Sequence, residues 1–202
     1  MGWSCSWVAV QGVGKGEVLE VLDLIETGEQ VEPGSRGAKL SCSERPDGWT
    51  VVFSEEFDWA DRKRVLELSR LGPVVGCQFE DKVEMTSIAS GAENGVELWR
   101  VAHVNDPIYR LDVSGAPPAE LEGIRERIFR KQDEKGGEAA GVDYVHDIPL
   151  EVAKAACGYR ADDEEATFAA LRRAGKRPPE APVRRGLVEN LLRRFGSRPN
   201  SD

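Results

Sequence analysis

Asn94-Gly95 separates two runs of recurring apolar and β-branched residues, 83–89 and 96–104. Both turn residues tolerate the positive φ that a two-residue hairpin demands, so the pair predicts antiparallel neighbours rather than a crossover. A third such run, 74–79, precedes them, and an isolated hairpin needs a sheet to rest on. The centre of the chain is therefore read as antiparallel sheet.

Toward the N-terminus, Trp3, Cys5, Trp7 and Ala9 alternate with Ser4 and Ser6, which predicts a strand over 3–10. Met1-Gly2-x-x-x-Ser6 also fits an acylation pattern, with Cys5 as a second site. The alternation, and the bulk of Trp3 beside the acceptor glycine, favour the strand. Gly12 to Gly16 form a flexible turn, after which Val18, Leu19, Leu22 and Ile25 fall at helical spacing with Gly28 placed as a cap. Residues 29–47, with Pro33, Gly34, Gly37 and Pro46, read mostly as loop, and 49–54 as a strand. Asp58 is expected to cap a helix that buries Val65, Leu66 and Leu68 before Gly72-Pro73 stops it.

Beyond Pro117-Pro118 the pattern turns helical, with Leu121, Ile124, Ile128 and Phe129 on one stripe. Residues 131–141 read as loop and 142–148 as a short strand. Pro149 suits the first turn of a helix closed by Gly158, and Asp162-x-x-Glu165 is expected to cap another through Ala174. Local hairpins outnumber βαβ units, which assigns the chain to the α+β class: a mainly antiparallel sheet with flanking helices and a C-terminal helical segment. One domain is expected over 1–174, followed over 175–202 by a basic, Pro-containing linker and a short amphipathic helix.

That tail is unlike the rest. It holds seven Lys or Arg against three acids, so it carries +4 while the first 174 residues carry -13, within a total of -9. Val183, Leu187, Leu191 and Phe195 share an apolar face flanked by arginines, which suits a helix docked on the acidic body or on a partner. The acidic body repels phosphates, so a basic protein is the expected partner and nucleic acid is not. No run approaches the roughly 18 apolar residues of a membrane span, so no membrane partner is expected. No early Lys or Arg marks a secretory signal.

Four cysteines (Cys5, Cys42, Cys77, Cys157) include no Cys-x-x-Cys pair, and only two histidines accompany them. Four free thiols in a reducing cytoplasm are expected, with no metal cluster. Arg outnumbers Lys 19 to 8 in an Ala- and Gly-rich chain, which points to a GC-rich bacterial source.

Chemistry-bearing motifs are few. The run from Gln11 to Glu17 follows a strand and opens a helix, as phosphate cradles do. It lacks the Ser or Thr of a P-loop, and Glu17 stands where a dinucleotide fingerprint needs glycine. No cofactor is expected. His103 ends a predicted strand with Asp106 three residues on, and His146-Asp147 precedes a helix start, so these four are the candidate catalytic residues. Trp59, read as the most exposed of five tryptophans, joins Leu191 and Phe195 as candidate binding residues. The expectation is a small acidic cytosolic binding protein, of the inhibitor or immunity type that neutralises a basic protein partner. The alternative is a hydrolase or transferase using His103 and His146 with nearby acids.

Overall fold

Strand β1 (Ser4–Gln11) runs through the middle of the molecule because both of its faces are apolar. Cys5, Trp7 and Ala9 point to one side, Val8 and Val10 to the other, and all five are buried. The computed structural model of the chain describes residues 3–32, 38–81, 85–104, 110–139, 141–162 and 167–175. Asp106 and the tail from 176, with Leu191 and Phe195, lie outside the described residues.

The other strands are β2 (Leu24–Val31), β3 (Leu40–Glu44), β4 (Trp49–Ser54), β5 (Val74–Glu80), β6 (Thr86–Glu93), β7 (Val96–His103), β8 (Leu111–Gly115) and β9 (Phe168–Arg173). They form one sheet in the order β2-β9-β3-β4-β1-β5-β6-β7-β8, antiparallel at every described pairing. The α+β class holds. Asn94 (φ 53°) and Gly95 (φ 79°) make the turn that joins β6 to β7.

Helices cover both faces. On the Trp7 side lie α3 (Leu121–Glu134) and α4 (Ile148–Cys157), which contribute Leu121, Ile124, Ile128, Val152 and Ala153 to one core. On the Val8 side lie α1 (Lys15–Val21) and α2 (Arg62–Leu68), which contribute Val18, Leu19, Val65 and Leu68 to the other. Gly158 closes α4 at φ 73°, a left-handed cap that glycine adopts without a Cβ clash. No described helix is long and apolar enough to cross a membrane.

Several expectations are corrected. The helix after the Gly-rich turn stops at Val21, because Asp23 takes φ 54° and Leu24 and Ile25 turn into β2; Gly28 sits inside that strand at a register shift. The stretch read as loop over 29–47 contains the end of β2 and all of β3. The cap of α2 is Asp61, whose carboxylate accepts the Arg64 N–H at 2.8 Å, and not Asp58. Helix α3 continues to Glu134, beyond the expected loop start, and residues 145–147 form a 3-10 turn rather than a strand. The segment expected as a helix through Ala174 is β9. Phe168 faces one core while Ala169 and Leu171 face the other, so no helical or strand period shows in a strand buried on both sides. All four cysteines are buried and unbonded, and burial pushes the Cys5 and Cys42 thiols up to about 12.

Candidate functional site

The two histidines, 43 positions apart in sequence, meet in the interior. His103 is the last residue of β7, directly opposite Ser87 of β6, and it is fully buried. His146 lies in the 3-10 turn before α4, 4% exposed, its ring 5.8 Å from that of His103 and stacked on Phe79 at 4.5 Å. Asp143 joins them. Its Oδ1 accepts the Val145 N–H at 2.9 Å, starting the turn that carries His146, and its Oδ2 stands 3.0 Å from His103 Nε2.

Both ring nitrogens of His103 face oxygen atoms. Its Nδ1 lies 2.8 Å from the Arg110 carbonyl, which only accepts, and an ionised Asp143 also only accepts. Burial favours the neutral Asp143 acid. The hydrogen bond and charge of His103, with the Val145 and His146 backbone N–H groups, outweigh it and hold the carboxyl below its ordinary range. For His146 burial dominates in the other direction, and the His103 charge adds to it, so the imidazole is held below its ordinary value. Its Nε2 is buried with no hydrogen-bond partner among the described residues.

A neutral imidazole with an open lone pair is the chemical form of a general base or a metal ligand. The surroundings supply neither a nucleophile nor a full ligand set. The Ser87 hydroxyl donates to the His146 carbonyl at 2.8 Å rather than to an imidazole, and no group of three or more metal-ligating side chains occurs among the described residues. The two rings lie close together, but both are sealed in the core.

Asp147 belongs to a different cluster. It occupies the N-cap position of α4 without a side-chain capping bond, and its carboxylate faces Arg160 at 3.3 Å. Arg160 also reaches Glu151 at 2.5 Å and Asp162 at 2.7 Å, tying the start of α4 to the chain beyond its end. Asp147 acts on His146 through its charge alone.

No family model, curated protein or solved structure matches this chain. Its function has to be read from its own geometry.

Trp59 is half-buried, packed against the Val8-side core with the Arg64 guanidinium 4.5 Å above its ring. The exposure expected for it is partial because the indole packs against the Val8-side core. Sequence reasoning passed over Asp143, Ser87 and Phe79. The signal for Asp143 was available in Asp143-x-Val145, since an aspartate two residues before a turn commonly accepts the N–H there.

A run of acids lies on the α1–β2 unit. Over residues 15–32, Glu17, Glu20, Asp23, Glu26, Glu29 and Glu32 are all exposed, and the one base, Lys15, is paired with Glu26 at 2.5 Å. Among the described residues strand β2 is an edge, bonded to β9 on one side and to no strand on the other.

Proposed function

We propose that this chain is a binding protein whose acidic α1–β2 edge meets a basic protein partner, as an inhibitor or immunity-type protein meets its target. The observation that carries the reading is the coincidence of six exposed acids with a strand edge that no described strand pairs. An open edge offers unpaired backbone N–H and C=O groups to an incoming chain, and the carboxylates choose its charge. They also repel a second acidic copy, which leaves a basic chain as the favoured occupant.

The test is capture from a lysate of the source cell with the parent chain and a Glu20→Lys/Glu29→Lys/Glu32→Lys variant. The parent is expected to retain a basic protein in a salt-sensitive manner. The variant is expected to lose at least about tenfold in affinity with an unchanged melting temperature. Capture indifferent to the charge reversal would overturn the reading.

A second reading, a hydrolase or transferase acting through His103 and His146, draws on the 5.8 Å approach and the open His146 Nε2. It requires that face to open to solvent. Carbethoxylation of the native protein distinguishes the two: reaction at His146 as fast as at free imidazole supports the enzyme, and protection supports a sealed core.

A further inference from the structure

We propose that the cavity at the junction of α1, β2, α2 and β9 is a binding site for a small organic anion, a carboxylate or phosphate ester on a planar or apolar body. It encloses about 230 Å3. Leu22, Leu24 and Leu40 supply an apolar wall, while Trp59, Arg64 and Arg173 supply the aromatic and cationic ones. Leu24 opens β2 directly opposite Arg173 at the end of β9, so the guanidinium of Arg173 is placed by the strand register.

Arg64 is held ready for an anion. Its Cζ lies 4.5 Å over the Trp59 ring, and its guanidinium donates to no described residue. Its N–H donors match the two oxygens of a carboxylate or phosphate. The chain holds 36 acids against 27 bases, yet neither Arg64 nor Arg173 pairs with a carboxylate among the described residues. Asp23 also lines the cavity, and its carbonyl accepts the Ala174 N–H at 2.9 Å. Two guanidiniums against one carboxylate leave a local excess of positive charge, and Asp23 can accept from a hydroxyl or amine on the ligand. The volume falls below the roughly 300–1,000 Å3 of pockets for drug-sized molecules, which limits the ligand to an anionic head with one ring or a short chain.

The Trp59 indole N–H, assigned by comparison with Trp59→Phe in 15N-1H spectra of the full chain, reports occupancy. Phenyl phosphate, benzoate and, as a cationic control, benzylamine are titrated separately. Saturable shifts of that signal are expected with phenyl phosphate or benzoate at about 1 mM or below, and the tighter of the two assigns the head group. Arg64→Gln/Arg173→Gln is expected to weaken binding at least tenfold while the remaining spectrum is retained. Absence of saturation by both anions, equal binding of benzylamine, or undiminished binding by the double variant would each overturn the proposal.

Discussion

Asp143 orders two elements at once, one oxygen starting the turn before α4 and the other holding the imidazole at the end of β7. Asp143→Ala is expected to destabilise the chain by about 3 kcal/mol in urea unfolding, because it removes the partner of the buried His103 Nε2 and of the Val145 N–H. The pH dependence has a definite sign. His146 is held below 6.5 in the folded chain, so its contribution is present above that value and is lost as pH falls towards the folded one. Asp143 is held below 3.8, so its contribution disappears only in stronger acid. A melting temperature that starts to fall below about pH 6.5 is expected, and His146→Phe, which keeps an aromatic stack on Phe79, is expected to flatten that first limb. A variant as acid-sensitive as the parent between pH 7 and 5 would remove His146 as the cause.

Helix α2 has seven residues, too short to persist alone, and depends on its cap and on Val65 and Leu68. Asp61→Ala is expected to cost about 1 kcal/mol and Asp58→Ala close to nothing, a comparison that chemical denaturation resolves. Where α2 crosses the sheet, the β6–β7 ladder shifts register at Gly91, whose partner is Trp99. The indole lies over Gly91 so closely that a Cβ there would collide with its ring nitrogen. Gly91→Ala is expected to lose about 1–3 kcal/mol and to move Trp99 into water, seen as a red-shifted emission absent from a Trp99→Phe background. The hairpin itself was legible from Asn94-Gly95. The Gly91–Trp99 contact was not, since the register shift that creates it depends on how two strands twist together.

At the scale of the molecule, the described residues form a nine-stranded sheet covered by helices on both faces, with six exposed acids on its α1–β2 edge. The basic tail follows β9, the neighbour of that edge. Its apolar residues Val183, Leu187, Leu191 and Phe195 are expected to rest against the acidic body. Deleting 176–202 is then expected to lower the melting temperature by several degrees, since apolar burial stabilises by about 25 cal/mol per Å2. An unchanged melting temperature would assign the segment to a partner instead.

What the sequence determined by itself rests on neighbours along the chain. Asn94-Gly95 demanded a tight turn, Pro149 and Gly158 bracketed α4, and the stripe from Leu121 to Ile128 could bury only as a helix. Tertiary structure decided the rest. Phe168 to Arg173 carry good helix formers, but β2 and β3 leave unpaired backbone groups on either side of them, and pairing with strands more than 100 residues away outweighs local preference. The same holds for the candidate sites. His103 meets Asp143 across 40 positions because the loop before the 3-10 turn of residues 145–147 reaches the end of β7, and Leu24 meets Arg173 across 149 because antiparallel register sets their strands side by side; no local pattern connects either pair.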